Sequence, residues 1–237
     1  YLLPLQLGEC SNNGVICQEE ICYLKVGRTY TNPIISDKSV PDPTVIRAND
    51  GYFYLYATQT STYWMPIYRS KDLVNWEYQK TAFTQATKPS LSGGGAFWAP
   101  EMTYINGKYV LYFSWAKMNG ADVSYTAVAV SDSPLGPFPN SKALITNEEF
   151  GSNVIDQFYY EENGKKYMFF GSFKGIYVTE LTDDGLSVKR DVDGKPVLKK
   201  QVCGNAFEGT NIYKKNGYYY LFASIGNCCN GINSSYK

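Results

Sequence analysis

Residues 99–114 are APEMTYINGKYVLYFS. A short extended run reaches Asn-Gly, and aromatic and β-branched residues then resume. Asn-Gly between two such runs is the strongest short signal of a β-hairpin. The arrangement recurs in DPTVIRANDGYFYLYAT (42–58), DQFYYEENGKKYMFFGS (156–172) and EGTNIYKKNGYYYLFAS (208–224). The turn glycines Gly51, Gly107, Gly164 and Gly217 are 56, 57 and 53 residues apart. A repeat of that length, built on one hairpin, fits a β-propeller blade better than a solenoid turn.

The segments between the hairpins agree. IYRSKDLVNWEY (67–78), TAVAVSDSPLGPF (126–138) and GIYVTELTDDGLSV (175–188) each predict a third strand, a turn and a short outer strand. No stretch carries a 3.6-residue apolar period, so the expected class is all-β with little helix. Only 20 residues follow Gly217. The fourth blade is therefore expected to be incomplete. A propeller closes its ring to remove exposed sheet edges, so the remaining blade is expected from another segment or chain. Residues 1–30 hold too few apolar side chains for a core of their own. They form a cysteine-containing segment and a candidate ring-closing strand, with the propeller over 31–237.

Lys+Arg and Asp+Glu number 22 each. That balance offers nothing to nucleic acid or an anionic membrane surface. No apolar run approaches the ~20 residues of a membrane span. The opening YLLPLQLGEC lacks the basic start of a signal peptide. Histidine is absent from the 237 residues. That excludes Ser-His-Asp and Cys-His catalysis within this chain and removes the usual zinc ligand. Acid–base chemistry falls to carboxylates. The spacing of Cys10, Cys17 and Cys22 matches no zinc pattern, and six cysteines leave the pairing open. Cys203, Cys228 and Cys229 are expected as buried thiols.

Counted from the turn glycines, Asp42 and Glu208 lie nine residues upstream and Asp156 eight, while Ala99 takes that place in the second unit. In a propeller the first strands line the axis and their ends surround one mouth. Three acids far apart in sequence are thus expected to converge. Such acids cap turns at strand ends, bind calcium, or hydrolyse glycosides. In the last case one acid protonates the leaving oxygen, one carboxylate activates water, and a third raises the acid's pKa. Asp42 stands between Pro41 and Pro43, which predicts a rigid, extended backbone. Trp98, beside the mouth position, suits stacking on a sugar. Trp115 is a candidate for the rim, Trp76 for the core, and Trp64 is open. Asp72 and Asp132 are expected to be structural. Glu101 points toward the mouth side by strand alternation and is given no chemical role.

At these residues the chain resembles glycoside hydrolase family 43, five-bladed propellers that cleave arabinose- and xylose-containing polysaccharides. The resemblance spans roughly residues 30–237. TNPIISDKSVPDPTVI resembles the first blade, FWAPEM (97–102) the second, SNVIDQF (152–158) the third and FEGTNIYKKNGYYYLFAS the fourth. It implies Asp42 as general base, Glu208 as general acid and Asp156 as pKa modulator and orienting group. The family inverts, which implies an Asp42–Glu208 separation of about 6.5–9.5 Å. FASIGNCCNGINSSYK, SNVID (152–156) and GSF (171–173) resemble endo-acting α-1,5-arabinanases, implying that Asn153, Ser172 and Phe173 touch arabinose. VPDPTVI is closer to exo-acting β-xylosidases and α-L-arabinofuranosidases. The resemblance further implies a polysaccharide substrate, extracellular or periplasmic action and no required cofactor, with a structural Ca2+ at the propeller centre as an added candidate.

Overall fold

The computed structural model describes residues 15–18, 21–24, 30–36, 38–91, 95–117, 120–151, 153–226 and 235–236. The chain divides into two compact units, Tyr1–Ser36 and Asp37–Lys237. In the first unit, β1 (Val15–Gln18) and β2 (Ile21–Leu24) form a hairpin with Cys17 opposite Cys22. Cys10, Cys228 and Cys229 lie outside the described residues.

The second unit is a succession of antiparallel meanders. The first sheet runs β3 (Thr44–Arg47), β4 (Phe53–Tyr56), β5 (Pro66–Ser70) and β6 (Glu77–Thr81). The second runs β7 (Ala96–Ile105), β8 (Lys108–Lys117), β9 (Gly120–Ser131) and β10 (Lys142–Thr146). A single short helix follows, α1 (Asn147–Phe150). The third sheet runs β11 (Phe158–Glu162), β12 (Lys165–Phe170), β13 (Ile176–Leu181) and β14 (Lys199–Cys203). The fourth has β15 (Phe207–Lys215), β16 (Tyr218–Ile225) and β17 (Ser235–Tyr236). The outer strands β10 and β14 come later than expected. Residues 182–198 instead form an irregular connection, with bridges Leu181 to Val188 and Arg190 to Pro196 and with Val188 buried in the core.

Three of the hairpins turn on Asn-Gly pairs with both residues at positive φ: Asn106-Gly107, Asn163-Gly164 and Asn216-Gly217. That is the two-residue turn whose twist matches the flanking strands. The first hairpin differs. Ala48 and Tyr52 close a wider loop, with Tyr52 N–H donating to Asp50 Oδ1 at 3.0 Å. This wider loop is why Asp42 counts nine residues to its glycine where Ala99 and Asp156 count eight.

The sheets pack in chain order. β3 adjoins β7, β7 adjoins β11 and β11 adjoins β15, so the first strands are neighbours. Phe83, Phe97, Phe113 and Trp115 interlock between sheets one and two, with ring centroids 4.7–5.8 Å apart. Tyr112, Phe150, Met168 and Phe170 fill the space between sheets two and three. Each fully buried side chain of this size contributes about 1.5–3 kcal/mol. Trp115, expected at the rim, belongs to the first core. Trp76, expected in the core, is half-buried in the turn before β6, where its Nε1 donates to Leu73 O at 3.0 Å. The Ser70–Asn75 turn holds it there, with Asp72 accepting from the N–H groups of Val74 and Asn75. Cys203 is a free thiol and only half-buried.

Candidate active site

Each sheet carries the same kink at or near the start of its first strand. Asp42, Ala99, Asp156 and Gly209 have φ of 49°, 40°, 57° and 66°. Aspartate tolerates this left-handed region and alanine does so at a cost. Asp42 is therefore left-handed, contrary to the extended backbone expected ahead of Pro43. The kink shared by all four sheets outweighs the local proline preference. It also shows that Glu208 sits one residue before the repeated position, opposite Ser224, just as Trp98 sits opposite Ser114. Measured from this kink, the shared phase holds for Asp42 and Asp156, and Glu208 is one residue out of step.

The three carboxyls nevertheless share one electrostatic neighbourhood. Burial pushes Asp156 up to about 8, with further increments from the charges of Glu208 and Asp42, while a Gly209 N–H bond to the carboxylate opposes the rise. Glu208 is raised by burial and then by the charge of Asp42, against a hydrogen bond from Ser172 that favours its ionised form. Interacting carboxyls titrate as a set. Asp42 is exposed and accepts from Thr58 Oγ1 at 2.6 Å.

A polar belt joins the strands that carry these acids. Thr58 Oγ1 accepts from Ala99 N–H at 2.7 Å. Gln157 Nε2 donates to Ala99 O, and Ser114 Oγ–H donates to Gln157 Oε1 at 3.1 Å. Ser114 Oγ accepts from the Asp156 N–H at 3.0 Å. Thr58, Ser114 and Gln157 were not singled out in the sequence, because threonine, serine and glutamine at strand ends carry no distinctive spacing.

Ser172, expected to touch arabinose, lies against the carboxyl of Glu208. It is buried, and its hydroxyl donates to Glu208 Oε2 at 2.9 Å. The preceding Gly171 permits this: a Cβ there would lie 2.1 Å from the Gly175 carbonyl oxygen. Phe173 is exposed on the same turn, its N–H donating to Phe207 O at 3.0 Å. Trp98 and Asn153 are half-buried. Among the described residues, no group of three or more carboxylates or thiols is arranged to hold a metal ion.

Glu101 emerges as a fourth acid of interest. It accepts from Thr44 Oγ1 at 3.0 Å and from Tyr159 N–H at 3.4 Å, tying β3 to β11 across β7. Burial pushes its carboxyl up to about 7, and those two hydrogen bonds moderate the rise. A carboxyl whose folded pKa lies above its unfolded 4.5 is protonated more readily in the folded state. Stability from this group is therefore greatest at acid pH and falls between pH 4.5 and 7, by roughly 3 kcal/mol in all. Glu101→Gln is expected to flatten the fall in denaturation midpoint over that window. An unchanged slope in urea titrations at pH 5, 6 and 7 contradicts the assignment.

The sequence model of the glycosyl hydrolases family 43 matches residues 30–237. The extracellular endo-α-(1→5)-L-arabinanase 1 of Bacillus subtilis is 31% identical over 85% of this chain and 64% of its own length. The xylan 1,3-β-xylosidase of a Vibrio species is 30% identical over 84% of this chain and 38% of its own. A solved structure of Cellvibrio cellulosa α-L-arabinanase complexed with arabinohexaose superposes with a TM-score of 0.63 at 29% identity, covering 85% of this chain and 69% of that one. The chain spans a little under two-thirds of the length of the curated arabinanase.

Proposed function

The chain belongs to family 43 of the glycosyl hydrolases, and from that membership we propose that it hydrolyses α-L-arabinofuranosidic linkages in arabinan with inversion at the anomeric carbon. The observation that carries this reading is the electrostatic coupling of three carboxyls from sheets one, three and four, with the charges of Glu208 and Asp42 acting on Asp156 and that of Asp42 on Glu208. Glu208, raised by burial and held by Ser172, is the proton donor to the leaving oxygen. Asp42, exposed and aimed by Thr58, is the carboxylate that activates water. Asp156, pushed up to about 8 by burial and then by the charges of Glu208 and Asp42, keeps a proton at the back of the site. That proton limits the total charge and orients Glu208. Trp98 and Phe173 offer flat apolar surface to a pentose, and Asn153 a polar edge.

We further propose that the four sheets are blades of a five-bladed propeller whose last blade lies in residues beyond this chain or in a second chain. The fourth sheet supports this. Ile212 and Ala223 are buried on the side that meets sheet three, where Tyr219 reaches Glu162. The opposite face leaves Tyr213, Tyr218, Tyr220 and Phe222 exposed. Apolar sheet faces of this extent are normally covered.

The designation of the Bacillus subtilis relative as extracellular supports the reading of extracellular or periplasmic action, and no helix among the described residues is long and apolar enough to cross a membrane. Assays on linear arabinan, an aryl α-L-arabinofuranoside and an aryl β-xyloside test the reading. Release of β-configured arabinose from arabinan, seen by NMR before mutarotation, is expected. Exclusive cleavage of the aryl glycosides moves the assignment to the exo-acting reading that the VPDPTVI segment favours. No release from any substrate overturns both.

A further inference from the structure

Gln157 directly follows Asp156 and is buried. A buried amide needs a partner at each end. Gln157 finds both in sheet two. Its Nε2 donates to Ala99 O, and its Oε1 accepts from Ser114 Oγ–H at 3.1 Å.

The direction of these bonds is fixed by groups that have no choice. A carbonyl oxygen only accepts, so Ala99 O requires the NH2 end of the amide. The amide oxygen is left for Ser114, whose hydroxyl must then donate. The same hydroxyl oxygen accepts from the Asp156 N–H at 3.0 Å. On the far side, the Ala99 N–H can only donate, and it does so to Thr58 Oγ1 at 2.7 Å. The single hydroxyl proton of Thr58 is therefore free for Asp42 Oδ2, 2.6 Å away. Every donor points the same way, from the Asp156 amide to the Asp42 carboxylate.

Ala99 is the joint of this chain. Its φ of 40° lies in the left-handed region, which costs a residue with a Cβ about 1–3 kcal/mol. Such backbone persists where the surroundings over-determine it. Thr58 in sheet one's connection holds the Ala99 N–H and Gln157 holds the Ala99 C=O, so the kinked residue is gripped on both sides. Thr58 is itself anchored beside the base, because its own N–H donates to Pro41 O at 3.0 Å.

We propose that Gln157 is a positioning residue for the base: it holds the Ala99 backbone in place, Ala99 N–H then fixes the Thr58 hydroxyl, and Thr58 aims the Asp42 carboxylate. The inference rests on the glycosidase reading with Asp42 as base, and adds that this base is aimed from the residue beside Asp156. The orientation of the base and the placement of Asp156 are thereby set together. Gln157 performs no chemistry of its own and acts through Asp42.

The test is steady-state kinetics of the full-length protein on a dinitrophenyl α-L-arabinofuranoside, whose leaving group needs no proton, so that the base side is read alone. Gln157→Met keeps the length of the side chain and deletes both amide bonds. A roughly three- to tenfold lower kcat at unchanged KM is expected, the worth of one lost hydrogen bond. Ser114→Ala leaves the amide present but unheld and is expected to lower kcat less; it carries the test if Gln157→Met does not fold. Both substitutions are then repeated in the Asp42→Ala protein with azide as the nucleophile. No base remains there to be aimed, so turnover to the glycosyl azide should match that of Asp42→Ala alone. Equal fold-losses with and without Asp42 show a role in holding the fold and overturn the inference. So does a kcat that neither variant lowers, or a raised KM at unchanged kcat. These outcomes, in a parent that cleaves the glycoside, leave the glycosidase reading standing. A parent that turns over neither the aryl glycoside nor arabinan overturns both.

Discussion

Replacing Glu208 by alanine is expected to lower kcat on arabinan by roughly 10²–10⁴-fold, the range for losing a positioned general acid. The reason is the leaving group. A sugar alkoxide is a poor leaving group and needs a proton as the bond breaks. A nitrophenolate leaves without one, so Glu208→Ala should lose far less activity on a dinitrophenyl arabinofuranoside than on arabinan. The alkaline limb of the pH profile should also change, because the proton donor raised by burial and by the charge of Asp42 is gone. Equal losses on both substrates remove Glu208 from the role of proton donor. The intermediate variant Ser172→Ala separates orientation from chemistry. It deletes the 2.9 Å bond that favours the ionised acid, so Glu208 should hold its proton to higher pH while activity falls only modestly.

Asp42→Ala should cause a loss of similar size, roughly 10²–10⁴-fold, but with the opposite substrate dependence. The base acts on water, so good and poor leaving groups should suffer alike. Truncation also opens a space on the attacking side, where a small anion such as azide can substitute for activated water. Recovery of turnover on an activated aryl glycoside in azide, with an inverted glycosyl azide as product, is the expected result. A retained-configuration azide product places Asp42 on the wrong face. Thr58→Val provides the conservative comparison. It removes the 2.6 Å donor to Asp42 and the acceptor for Ala99 N–H, and a reduced kcat at unchanged KM is expected from a misaimed base.

The hairpins were legible because their signal is local. Asn-Gly needs only its own backbone to adopt positive φ at both residues, so three of the turns appear where the sequence puts them. The outer strands β10 and β14 were misplaced because an edge strand is short and selected by the partner it pairs with. Nothing in GIYVTELTDDGLSV distinguishes an outer strand from the irregular connection that residues 182–198 form. Trp76 and Trp115 exchanged their expected environments for a related reason. Whether a tryptophan is core depends on which sheet stacks against it, and that is set by residues such as Phe83 and Phe97 from elsewhere in the chain.

The sequence by itself determined the all-β class, the four repeated units and the restriction of acid–base chemistry to carboxylates, since turn chemistry and composition act over a few residues or over none. Only the tertiary structure decided how the acids differ. Asp156 and Glu208 are raised because neighbouring sheets strip water from them and bring other charges close. Asp42 and Glu208 are aimed by Thr58 and Ser172, hydroxyls that come from a different strand or a different sheet. Desolvation and charge proximity depend on distances between residues 52 to 166 positions apart, and a linear chain does not contain them until its sheets have stacked.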